Sequence, residues 1–64
     1  MYNIQNGIAR FETISTSQDT QVGGFMELPL CANGLHHGRF EVVEAVKFDD
    51  RGLAKIRYVA KQVA

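Results

Sequence analysis

Sixty-four residues, 45% of them hydrophobic and with seven basic side chains against seven acidic ones, predict one small globular domain (residues 1–64) near the lower limit for folding alone. One cysteine excludes an intramolecular disulfide, and no stretch approaches the roughly 18 apolar residues of a membrane span. Net neutrality disfavours a strong non-specific binder of nucleic acid, whose affinity rests on neutralising several phosphates.

The opening residues Met1-Tyr2-Asn3-Ile4-Gln5-Asn6 carry neither a basic n-region nor an apolar h-region, so no secretory signal is read there. A lone thiol suits a reducing compartment, and the cytoplasm is the expected location, with no membrane partner. Residues 7–15 admit two readings. Ile4, Ile8, Phe11 and Ile14 recur at helical spacing. Against a helix stand Gly7 in its interior and the run Thr13-Ile14-Ser15-Thr16, which prefers extended geometry. Read as a strand, Ala9, Phe11 and Thr13 point one way and Ile8, Arg10 and Glu12 the other.

Thr16-Ser17-Gln18-Asp19-Thr20 is a polar turn-forming run. Residues 21–30 follow as an interrupted extended segment in which Val22, Met26, Leu28 and Leu30 share a face. Pro29 lacks an N–H, which places this strand at a sheet edge or ends it there, and Gly23-Gly24 marks a bend or bulge. Residues 31–38 read as a turn or a single helical turn, with Gly34 and Gly38 as stops.

The last third predicts a β-hairpin over residues 39–63, both arms rich in β-branched and aromatic residues. A three-residue loop, Asp50-Arg51-Gly52, would set Asp49 against Leu53, Phe48 against Ala54, Val46 against Ile56, Glu44 against Tyr58 and Val42 against Ala60. One face then gathers Phe40, Val42, Val46, Phe48, Ala54, Ile56, Tyr58 and Ala60, with Glu44 the lone exception. Glu44 would need a partner such as Arg10, a route to solvent or a local bulge. The other face carries Arg39, Glu41, Val43, Ala45, Lys47, Lys55, Arg57, Val59 and Lys61. Five bases share it with one acid, and Lys47 lies opposite Lys55, an arrangement that costs a sheet stability. Two readings follow: a solvated face with long stems over Val43 and Val59, or a basic ribbon for phosphates or an acidic protein.

Cys31, His36 and His37 are the candidate metal ligands, in the spacing Cys-x4-His-His. Three ligands are one short of a structural zinc site, so Glu27 or a second copy would have to complete it. Catalysis is not expected, because a Cys31–histidine pair would need hydrogen-bond contact and an oxyanion pocket that so short a chain has little volume to build. Asp49 and Asp50 belong to turn chemistry. No phosphate loop is present, and no cofactor is implied.

The order Glu27-Leu28-Pro29-Leu30, Leu35-x-x-Gly38, an alternating strand from Phe40 to Phe48 and a turn at Gly52 resembles the AbrB-type swapped-hairpin domain over about half the chain. That resemblance implies a dimeric DNA-binding barrel. The chain departs from it in lacking a conventional helix between Pro29 and Leu35 and in its long N-terminal segment. By size and neutrality it is also similar to accessory proteins of phages and plasmids.

The resulting expectation is a mostly β domain, a small antiparallel sheet or SH3-like barrel, with an α+β fold (residues 3–14 helical) as alternative. It is expected to bind rather than catalyse. An unidentified protein would meet Arg39, Lys47, Lys55, Arg57 and Lys61, with nucleic acid on that same face as the alternative and metal or thiol chemistry at Cys31, His36 and His37 as a third. A homodimer through Val43, Ala45, Val59 and Val63 would supply the stability so small a core lacks.

Overall fold

Residues 3–30 and 36–63 are described by a computed structural model of the chain. They form five strands: β1 (Asn3–Gln5), β2 (Ile8–Ile14), β3 (Phe25–Pro29), β4 (His37–Asp50) and β5 (Leu53–Val63). All pairings are antiparallel, in the order β1-β2-β5-β4-β3. The mostly β expectation holds, and the helical alternative for residues 3–14 does not. Asn6 (φ 54°) and Gly7 (φ 77°) form a two-residue turn with both backbones left-handed, and it breaks the helical spacing into a hairpin of β1 and β2. Ala9 and Phe11 face inward, as the strand reading requires. Among the described residues no helix is long and apolar enough to cross a membrane.

Two clusters make the core. Ala9, Leu28, Phe40 and Ala60 form one, and Val42, Ile56 and Tyr58 the other. Phe11 from β2 and Met26 from β3 pack against both. These two strands are separated by β5 and β4 in the sheet, so both reach the same clusters because the sheet curls over its apolar face. The right-handed twist of strands favours such curling, and it wraps one layer around its own apolar face. Residues 15–24 cross the concave side, where the Thr20 N–H donates to the Tyr58 hydroxyl oxygen at 3.0 Å. The Tyr58 ring lies 5.2 Å from that of Phe11, tilted by 41°.

β3 is an edge strand and also ends at Pro29, the two placements expected of it. The bonds Val42 N–H to Gly24 C=O and Leu30 N–H to His36 C=O fix which residues of β3 face β4. By alternation Pro29 presents its missing donor to the open side. Gly38, expected to stop a turn, instead lies inside β4 and is buried. A Cβ there would stand 3.1 Å from the buried Phe40 ring, so glycine is required for close packing.

The hairpin of β4 and β5 exists, starting two residues earlier than expected, but its register near the turn differs. Arg51 (φ 55°) and Gly52 (φ 86°) make a two-residue turn, so Asp50 pairs with Leu53. Such primed turns match the twist of the flanking strands, which unprimed two-residue turns would splay. The Gly52 N–H donates to Asp49 Oδ2 at 3.2 Å. The extra residue is absorbed further along, where Val42 pairs with Ala60 and Glu44 with Val59, leaving Val43 as a β-bulge. Below the bulge the expected pairing of Val42 with Ala60 is correct. Between bulge and turn every side chain of β4 lies on the face opposite to the expected one.

Candidate interaction face

The bulge decides what the convex face presents. Glu44, expected among apolar groups beside Tyr58, turns outward and is exposed, while Ala45 takes its place opposite Tyr58. That exchange removes a carboxylate from the core, where an unpaired charge is costly. It also moves Val46 and Phe48 outward, opposite Arg57 and Lys55, and sends Lys47 to the concave side opposite the buried Ile56. The expected Lys47–Lys55 opposition is therefore absent. Lys47 Nζ instead lies 3.9 Å from Asp19 Oδ2.

Of the five basic residues expected to share a face, Arg39, Lys55, Arg57 and Lys61 do so, and Lys47 does not. Arg10 of β2 joins them, since Arg10 pairs with Val59. Acids are interleaved among them. Glu12 pairs across the ladder with Arg57, Glu41 with Lys61 and Glu27 with Arg39, while Glu44 and Asp50 complete the set. Five bases thus meet five acids on the convex face. Arg57 places Nη2 at 2.9 Å and Nε at 3.0 Å from Glu12 Oε2, and Lys55 Nζ sits 2.9 Å from Asp50 Oδ2. The hydrogen bond to Asp50 and its charge raise the Lys55 pKa above the usual lysine value.

Apolar groups run between these charges. The Arg57 guanidinium lies 5.2 Å from the centre of the Phe48 ring and that of Arg39 4.4 Å from the Phe25 ring. Val46 is 47% exposed, Leu53 45% and Ile14 55%. Ile14 and Phe48 flank Lys55 in one row of the ladder. The result is a strip of aliphatic and aromatic carbon bordered by paired charges.

On the concave side a groove of about 570 Å³ opens between β2 and β3, lined by Phe11, Thr13, Met26, Leu28 and Tyr58, with Asp19 at its rim. Asp19 is committed locally. Its carboxylate accepts from the Ser15 hydroxyl and from the Thr16 N–H, and these bonds, with a smaller contribution from Lys47, hold its pKa below the usual carboxylate value. Its role is to organise the 15–20 loop.

His36 and His37 are both exposed. The His36 carbonyl accepts the Leu30 N–H at 2.7 Å, and His37 opens β4 opposite Pro29. Cys31 lies outside the described residues, and so does the geometry of the proposed Cys31–His36–His37 set. Among the described residues no three His, Cys, Asp or Glu side chains converge as metal ligands.

Sequence reasoning missed that Val46 and Phe48 face outward, Val46 exposed and Phe48 half-buried, although a signal was present. The one carboxylate in an otherwise apolar alternation, Glu44, marks the place where the alternation breaks. Comparison of the chain with protein-family models, with curated proteins and with solved structures finds no match.

Proposed function

We propose that this chain is a non-catalytic protein-binding module that meets its partner through the convex face of β4 and β5. Val46, Phe48 and Leu53 form the centre of the contact, and Arg39, Lys55, Arg57 and Lys61 with their acidic neighbours form its rim. The observation that carries this reading is the bulge at Val43, which brings exposed carbon to a face whose charges cancel. An apolar centre enriched in aromatic and Arg side chains within a polar rim is the anatomy of protein–protein contacts. A duplex-binding face, by contrast, needs an uncompensated positive field. The five acids on this face oppose such a field, which ranks nucleic acid below protein as partner.

The test pairs a capture with a titration. Immobilised protein and its Val46→Asp variant, with folding checked by amide NMR, are exposed to the same cell extract. A species retained by the parent and lost by the variant supports the reading, and identical retention overturns it. A short DNA duplex added to the labelled protein at low salt is expected to leave the spectrum unchanged. Salt-sensitive shifts at Lys55, Arg57 and Lys61 would instead make this face a nucleic-acid surface.

A further inference from the structure

The upper half of β4 has a free edge. β3 pairs with β4 only as far as Glu41, with one further bond pair at Val42, so no described strand lies beside residues 44–50 opposite β5. The ladder fixes which backbone groups this edge presents. Val42 donates to Gly24, away from β5, and the two-residue turn makes Asp50 and Leu53 a bonded pair. Alternation counted back from Asp50 directs the N–H and C=O of Glu44, Val46 and Phe48 to β5 and those of Ala45, Lys47 and Asp49 outward, and the extra residue at the Val43 bulge reconciles this with the outward Val42. The exposed loop residue Val22 lines a groove with Ala45 and Lys47 of this stretch, and Val43 and Val46 of β4 are exposed as well.

We infer that this edge pairs with the same edge of a second copy, antiparallel, with Lys47 opposite Asp49 of the second copy and Phe48 on the two-fold axis. Charge selects that register. Setting Lys47 against Lys47 opposes two ammonium groups and also brings Glu44 against Asp50. Setting Asp49 against Asp49 opposes two carboxylates. Only the Lys47–Asp49 register places opposite charges across the ladder twice, once on each side of the axis, and cross-strand pairs of that kind stabilise a sheet whereas like pairs destabilise it. It uses the outward N–H and C=O of both residues, giving four main-chain bonds, and it sets Phe48 beside Phe48 on the convex side. Pairing stays within residues 46–50, beyond the segment around Gly23 that flanks Val42. The two sheets would then join into one, with the convex faces continuous and still open to a further partner. This differs from the homodimer expected through Val43, Ala45, Val59 and Val63, a face that loses Ala45 to the core side.

Sedimentation of the protein over a concentration series tests this. A reversible dimer is expected, with Lys47→Glu and Asp49→Lys each weakening it at least about tenfold. Mixing the two variants in equal amounts should restore it, because each then offers the charge the other requires. A parent protein that stays monomeric at NMR concentration overturns the inference, as does a mixture no stronger than its components. The unmodified protein gives a second readout independent of variant folding. The outward amides of Lys47 and Asp49 should exchange slowly with solvent at high concentration and fast on dilution, whereas those of Val46 and Phe48, bonded to β5, should not change. Concentration-independent exchange at Lys47 and Asp49 would exclude the pairing.

Discussion

At the scale of single residues, Asp19 and Tyr58 hold the concave side together by different means. Tyr58 supplies a ring to the core and a hydroxyl to the backbone of Thr20. Asp19 folds the loop that Thr20 ends, by accepting from Ser15 and Thr16. Because those bonds favour the ionised carboxylate, its pKa is lower in the folded protein than in the unfolded chain. A depressed carboxylate pKa contributes stability that is fully present above the unfolded value, about 3.8, and is lost as pH falls through the folded one. Asp19→Asn should therefore lower stability at neutral pH, and the gap to the parent should narrow as the solution is acidified below the ordinary carboxylate range. Urea denaturation of both proteins across that range measures it, and a gap independent of pH would separate Asp19 from the loop's stability. Tyr58 was legible as a core residue because it sits in a strand of strict alternation. Asp19 was not, because its partners lie within a loop whose path depends on contacts with β5.

At the scale of elements, both hairpins turn on two residues with positive φ, yet their sequences advertise this unequally. Asn6-Gly7 is a favoured pair for such a turn, and reading it as one would have settled residues 3–14 as strands. Arg51-Gly52 has a poor first residue, and the sequence pointed instead to a three-residue loop with Gly52 in the left-handed position. Gly52 does adopt that conformation, but Arg51 adopts it too. A side chain such as Arg pays about 1 kcal/mol or more to be there, while Asn is tolerated. Arg51→Asn should thus stabilise the protein by roughly 0.5–1 kcal/mol, raising Tm by a few degrees for a chain of this size. An unchanged or lowered Tm in a thermal scan would show that the Arg51 side chain contributes something its conformation does not reveal. The edge position of β3 was legible from Pro29 alone. The face assignment of residues 44–50 was not, because one bulge inverts it and a bulge leaves only a single discordant residue, Glu44, in the pattern.

At the scale of the whole molecule, seven buried hydrophobic residues carry the core among the described residues, and of these only Phe40, Val42 and Ile56 are large and wholly enclosed. Phe40 belongs to the cluster that joins β2, β3, β4 and β5 through Ala9, Leu28 and Ala60. Truncating such a ring costs about 3–5 kcal/mol, against a total of roughly 3–10 kcal/mol for a domain this small. Phe40→Ala is expected to leave the chain largely unfolded at room temperature, as read by amide NMR dispersion. A well-dispersed spectrum would mean that the two clusters hold the fold independently. That the chain would be β-rich and curled was legible from the density of alternating segments and the scarcity of helix-compatible runs. The interleaving of acids from β2 and β3 with the bases of the hairpin was not, because it depends on the strand order, which places β2 beside β5 and β3 beside β4.

That strand order also sets a timetable. The first long strand lies against the last, with Ile8 opposite Lys61 and Ala9 opposite Ala60. A chain emerging from the ribosome therefore makes β2 early and must leave it without its main neighbour until β5 has cleared the exit tunnel. Contacts of such wide sequence separation are slow to form because the intervening chain must first be brought round. Both hairpins, β1–β2 and β4–β5, are local and tightly turned, and the long-range pairing of β2 with β5 is the step that joins them and closes the core.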